Sequence, residues 1–255
     1  MEHTADNIKT ERYALIDSVR GICVWGMILY HTLFDIVYIS GAALDSPFMC
    51  GVNVIRDFGA CCFIFISGLC FNLGRHKLKR SLLISAGGVI VTLVTFFVMP
   101  ESFVIFGILT FLGLMGLIML PLSVLLKKIP PAAGLIASLL LFLLFFSCNY
   151  GYIGYYSAVL CRFPAALYQN YFTAFFGFPF YGFISADYYP LLPWMFMYLC
   201  GFFFWNSVKD SEKTQRLLKI RIPLAEKTGR LSLYIYMLHQ PLIFALVWGI
   251  YLIIA

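Results

Sequence analysis

Charged side chains are scarce in this chain: Asp, Glu, Lys and Arg make up 12% of its 255 residues, against 62% hydrophobic ones. A water-soluble globule of this size needs far more polar surface, which excludes a soluble enzyme or a soluble nucleic-acid-binding domain. Other signals are missing too. No His and carboxylate cluster has metal-ligand spacing and no Gly-rich phosphate loop is present, so neither a metal cofactor nor a nucleotide-cradling loop is expected. The eight cysteines show no metal or redox-pair spacing; almost all lie inside apolar runs and read as small packing residues. There is no internal repeat and no low-complexity segment. The first thirteen residues are polar and no small-residue cleavage site precedes the first apolar run, so that run is expected to persist as a helix.

What is present is a succession of apolar runs long enough to cross a bilayer, which needs about 20 residues each. Seven candidate spans lie at 14–39, 55–73, 81–99, 103–126, 132–148, 187–207 and 231–254. The expected fold is therefore all-α, a single polytopic transmembrane bundle over residues 1–255. Basic residues follow span two (Arg75, Lys77, Lys79, Arg80), follow span four (Lys127, Lys128) and precede span seven (Lys209 to Arg230). The positive-inside rule makes these loops cytoplasmic. Alternation then puts the N-terminus inside and the C-terminus outside, and of the eighteen Lys and Arg residues all but Arg56 and Arg162 fall on one side. The formal charge of +6 thus reports orientation and contact with anionic lipid rather than nucleic acid.

Residues 149–186 form a long outer loop rich in Tyr and Phe, with Arg162, Pro164 and Pro179. Interfacial or re-entrant helices over the outer mouth are expected there. Their aromatic rings would serve either as a headgroup-level belt or as a platform or lid for an outer substrate.

Ionisable residues inside a span are costly and so mark function by default. The first span holds Asp17, Arg20, His31 and Asp35. The eleven-residue step from Arg20 to His31 is three turns plus about 20°, so both share one face about 16 Å apart. Asp17 is placed to pair with Arg20, and Asp35, four residues beyond His31, to hold an imidazole nitrogen. A cytosolic donor with phosphates could be gripped at Arg20 while a thin arm reaches His31, a base near neutral pH; coenzyme A has that shape. The same stripe also suits structural ion pairs between helices, or the relay of a proton-coupled transporter.

Arg20-Gly21, the ten positions between Arg20 and His31, and His31-Thr32-Leu33-Phe34-Asp35 resemble the first helix of membrane-bound acyltransferases. Further stretches extend the likeness over most of the chain. They are Phe63-Ile64-Phe65-Ile66-Ser67-Gly68, Ser185-Ala186-Asp187-Tyr188-Tyr189-Pro190-Leu191-Leu192-Pro193-Trp194, and Ser232-Leu233-Tyr234-Ile235-Tyr236 with His239-Gln240-Pro241. Together they resemble the heparan-α-glucosaminide N-acetyltransferase catalytic domain family in its short bacterial form. The acyltransferase-3 family, which O-acetylates surface sugars, shares the Arg and His spacing. The resemblance implies acetyl transfer from cytosolic acetyl-CoA to an amino sugar on the far side of the membrane, with His31 as the catalytic residue. The chain is much shorter than the animal enzyme, so a bacterial envelope glycan or another small acceptor is expected rather than heparan. The expected location is a bacterial plasma membrane. A homodimer is compatible with the resemblance, although no sequence feature marks an interface.

Asp187 at the outer end of span six reads either as a helix cap or, with Tyr188 and Trp194, as an acceptor contact. His239, about 12 Å into span seven, shares a face with Tyr236 and Ser232 and reads as donor-tunnel lining or as hydrogen-bonded packing. The expected site is thus His31 and Asp35 for catalysis, Arg20, Asp17, His239 and Tyr236 for acetyl-CoA, and Asp187, Tyr188 and Trp194 for the acceptor. Ser67, Asn72 and Asp57 read as glue between helices, and Arg56 with Asp57 as meeting the outer ends of other spans.

Overall fold

The computed structural model describes residues 13–40, 46–155 and 158–254. Lys9 and Arg12, counted above toward the basic side, lie outside the described residues. Among the described residues, ten α-helices and one hairpin follow in chain order: α1 (Ala14–Ser40), α2 (Ser46–Phe71), α3 (Lys77–Val98), α4 (Ile108–Leu126), α5 (Pro131–Phe145), β1 (Tyr152–Tyr155), β2 (Ala158–Arg162), α6 (Tyr171–Phe176), α7 (Leu191–Val208), α8 (Glu212–Leu218), α9 (Pro223–Arg230) and α10 (Ser232–Ile254). Among the described residues, seven segments are long and apolar enough to cross a membrane: Ala14–Val37, Gly51–Phe71, Lys77–Val98, Ile108–Leu126, Pro131–Tyr150, Leu191–Val208 and Ser232–Ile253. The all-α bundle of about seven spans is as the sequence indicates.

The surface is apolar where lipid would lie. Leu82, Leu93 and Phe97 on α3, and Leu242, Leu246 and Ile253 on α10, are exposed. Burial of apolar area does not hold such helices together, because lipid tails are as apolar as leucine; close packing of small residues does. The pattern is visible between α2 and α7. A Cβ on Gly68 would sit 1.9 Å from the Tyr198 carbonyl oxygen, and one on Gly201 would sit 1.8 Å from that of Phe65. Each helix therefore presses its backbone on the other where the partner has no side chain. Around that contact α4 completes the main core, with Ile64, Met115, Met119 and Phe202 fully or almost fully buried. Helix α1 packs on α2, α9 and α10, α3 on α4, and α5 on α7.

The aromatic segment differs from expectation. Its first part is not an interfacial helix but an antiparallel hairpin in which Tyr152 pairs with Arg162 and Tyr155 with Ala158, with an irregularity at Ile153/Gly154. Among the described residues the one α-helix there, α6, has six residues and starts at an Asn170/Thr173 capping box. Gly151 and Gly154 explain the difference, since their φ values of 94° and 143° are incompatible with a right-handed helix. The β-favouring Tyr, Ile and Val residues around them then pair as strands.

The α2/α7 contact makes a stability prediction. Gly201→Ala drives a methyl group into backbone and is expected to cost about 1–3 kcal/mol, read as a lower unfolding midpoint in detergent. At Gly249 an added Cβ meets nothing within 4 Å. Gly249→Ala is expected to leave the midpoint unchanged or slightly raised. Equal midpoints for the two variants would count against the packing account.

Candidate active site

The polar residues of α1 divide into two groups. Near the end of the bundle that carries the basic loops, Arg20 Nη1 donates to Asp17 Oδ1 at 3.0 Å and Nη2 lies 3.1 Å from Cys70 Sγ. The Arg20 side chain is 14% exposed, so its charge is largely enclosed by these neighbours. Arg230 reaches the other Asp17 oxygen at 3.8 Å. It also pairs with Glu226, which accepts from Arg221 at 3.1 and 3.2 Å. Burial by itself would raise the Glu226 carboxyl, but the Arg221 and Arg230 guanidiniums hold it below the ordinary glutamate range. This ion-pair group fastens α9 to α1, and its backbones touch as Gly21 meets Ala225 and Gly229 meets Asp17.

The second group lies toward the aromatic end. His31 lines a cavity of about 510 Å³ whose wall also includes Asp187, Tyr188, Trp194 and Tyr236. Of the nine expected site residues, these five share one cavity. Asp35 and His239 are buried outside its lining, and Asp17 and Arg20 belong to the basic end. Asp35 does not hold His31 as expected. It accepts from Gln240 Nε2 on α10 at 3.1 and 3.2 Å, and the ring neighbours of His31 are Tyr30 at 5.3 Å and His239 at 4.8 Å between centroids. The reason is that α10 offers an amide donor beside Asp35, and its single nitrogen serves both carboxyl oxygens without help from the imidazole. His239 in turn donates from Nδ1 to the Tyr236 carbonyl at 2.6 Å.

Asp187 caps a helix, but not its own. Its Oδ2 accepts from the backbone N–H of Ile108, at the start of α4, at 3.0 Å, and from the Tyr236 hydroxyl at 2.7 Å. The surrounding chain is tied to the segment before α4: Ser185 Oγ bonds both the N–H and the carbonyl of Ile105, Ala186 N–H reaches Phe103 and Tyr189 N–H reaches Phe106. Burial pushes the Asp187 carboxyl above the usual aspartate range, although both hydrogen bonds favour its charged form. Tyr188 donates to the Ala174 carbonyl at 2.5 Å, and Trp194 packs against Tyr189 and Phe142 at 4.9 and 5.8 Å.

A profile of the family described as heparan-alpha-glucosaminide N-acetyltransferase, catalytic, matches residues 12–241. The chain belongs to that family. No curated protein and no solved structure matches it. The matched stretch runs through α1 and into α10, so the whole cavity lies within the catalytic region of this family of membrane N-acetyltransferases.

Three polar residues of the cavity wall were not among the expected site residues: Arg56 and Asp57, read from the sequence as contacts at span ends, and Asn149. Arg56 donates to the Tyr30 hydroxyl at 3.2 Å and to Asp57 at 2.9 Å, and both Arg56 and Asp57 line the cavity. Arg56 is one of the two basic residues that break the sidedness of charge, which was the signal available for it. Asn149 also lines the cavity, with a buried Oδ1 that has no hydrogen-bond partner. No sequence signal distinguishes it from an ordinary loop residue.

Two measurements check these bonds. Asp187→Ala leaves the Ile108 N–H and the Tyr236 hydroxyl unpaired and should lower stability by about 1–3 kcal/mol, with a smaller drop in Asp187→Asn, which keeps an acceptor oxygen. Equal unfolding midpoints in both variants and the wild type would contradict this. At the basic end, the depressed Glu226 carboxyl stabilises the fold above the ordinary glutamate value of about 4.3. That stabilisation is lost as pH falls through its lower folded value. The unfolding midpoint should therefore drop less on acidification in Glu226→Gln than in the wild type.

Proposed function

We propose that the chain carries an acetyl group from acetyl-CoA, arriving at the basic end, to an amino sugar or another glycan acceptor that enters the cavity at the aromatic end. The observation that carries this reading is the single cavity shared by His31 and the Asp187–Trp194 segment. It combines a basic ring, aromatic walls and a few convergent polar groups, the composition suited to a sugar. Asp187, Tyr188 and Trp194 contact the acceptor in this reading, and the unpaired Asn149 Oδ1 accepts from one of its hydroxyl or amine groups. By the positive-inside rule the basic end is cytoplasmic, so acceptor and donor come from opposite sides.

The donor's phosphates meet the basic end, at Arg20, held by Asp17, and at the cationic loops that carry Arg75, Arg80 and Lys127. Its flexible arm covers the distance of about 16 Å along α1 to His31. There, the acceptor nitrogen or oxygen attacks the thioester carbonyl while a His31 ring nitrogen takes its proton, and the thiolate of coenzyme A leaves and is protonated. A route through an acetyl-imidazole on His31 uses the same geometry. Acetylated protein formed from acetyl-CoA without acceptor would favour that second route. The proton-relay reading gains no support, because the ten residues between Arg20 and His31 contain no carboxylate, imidazole or other charged group.

The assay is purified protein with labelled acetyl-CoA and a panel of amino sugars that includes glucosamine and its oligosaccharides. His31→Ala should lose transfer by about 100-fold or more while still binding acetyl-CoA. Full activity of that variant would overturn the site, and a wild-type protein that binds no acetyl-CoA would overturn the donor.

A further inference from the structure

His239 lies beside His31 and outside the cavity lining, and its hydrogen bonding is incomplete in an informative way. Nδ1 lies 2.6 Å from the Tyr236 carbonyl oxygen. A carbonyl can only accept, so Nδ1 carries the proton. Nε2 is buried and has no hydrogen-bond partner, in a residue that is 8% exposed. A buried, unpartnered imidazolium would be costly, so the ring is neutral and Nε2 presents a lone pair. The nearest ring is that of His31, edge-on at 62° with centroids 4.8 Å apart. His31 lines the cavity, and His239 does not.

We propose that His239 is the positioning residue for His31: its Nε2 accepts a hydrogen bond from the His31 N–H during acetyl transfer, the part that the spacing of α1 had suggested for Asp35. This rests on the reading of His31 as the base. As the acceptor's nitrogen or oxygen forms its bond to the acetyl carbon, its proton passes to the cavity-side nitrogen of His31. The resulting imidazolium carries N–H groups on both nitrogens, and the one facing away finds the waiting lone pair. The carbon–sulfur bond then breaks, the His31 proton moves to the thiolate sulfur, and coenzyme A leaves as the thiol. His239 gains and loses no proton overall. It fixes the tautomer and ring angle of His31 and spreads its transient charge; the rings, with centroids 4.8 Å apart, are already close enough, and the contact becomes a hydrogen bond by a turn of the imidazoles as that charge develops.

Asp35 contributes one step further out. Through both of its oxygens it holds Gln240, the neighbour of His239, and so clamps α10 against α1 at the level where the two imidazoles meet.

The test uses the full chain in detergent or nanodiscs, with acetyl-CoA and the best amino-sugar acceptor from the panel. Asparagine at position 239 keeps a donor near the Nδ1 position but removes the Nε2 lone pair, whereas glutamine reaches the Nε2 position with an acceptor oxygen. His239→Asn should lower kcat by about 100-fold, with KM for both substrates changed by no more than about twofold, and His239→Gln should recover at least about tenfold of that loss. The His31→Ala/His239→Asn double variant should be no slower than His31→Ala alone, because the two act as one unit. The inference is overturned by wild-type kcat in His239→Asn, by a raised KM for acetyl-CoA with kcat unchanged, by equal rates for Asn and Gln, or by multiplicative losses in the double variant. Inactive His31→Ala beside fully active His239→Asn would remove this inference and leave the proposed site standing; fully active His31→Ala would remove both.

Discussion

A bilayer supplies no hydrogen-bond partners, so each polar group in a spanning helix must find its partner within the protein. Helix α1 shows how far this constraint organises the molecule. Asp17 and Arg20 draw in Arg230 and Cys70, Ser18 receives the Ile222 N–H, and Asp35 receives the Gln240 amide. The partners come from α2, from α10 and from α9 and its flanks, which are the parts that surround α1. Had α1 been purely apolar, lipid would compete with all of them on equal terms.

The same constraint explains how the cavity keeps its shape. The chain before α4 and the chain before α7 are irregular, so their backbone groups need partners outside any helical ladder. Here they bond to each other through Ser185, Ala186 and Tyr189, and Asp187 closes the start of α4 while taking the Tyr236 hydroxyl of α10. One carboxyl thereby connects three elements around the space that His31 faces. The wall of the proposed acceptor site is thus also a structural joint, which is why Asp187 fits both the capping and the acceptor-contact reading.

Much of this was legible in the residues. Hydropathy alone delineates the seven spans, because the length of an apolar run is set by bilayer thickness rather than by tertiary context. The Asp17–Arg20 pair follows from helical periodicity, being local to one turn. The aromatic segment was not legible as a hairpin, since it turns on glycines whose positive φ is a property of the folded backbone. Arg56 and Asn149 were not placed in the site for another reason: a lone polar residue near the end of a span gives no sign of whether it faces lipid, water or a cavity.

The sequence by itself determined that the protein lives in a membrane, which face of α1 is polar, and which family it belongs to. These are properties of composition, periodicity and motif order, and they need no knowledge of what lies across from each residue. Only the tertiary structure decided who answers whom. Asp35 meets Gln240 instead of His31, Asp187 caps α4 instead of α7, and His31 has the ring of His239 beside it. The spacing within one helix restricts which of its own side chains share a face, but a partner donated by another helix, here α10, competes for the same group, and the packing of the two backbones settles the outcome.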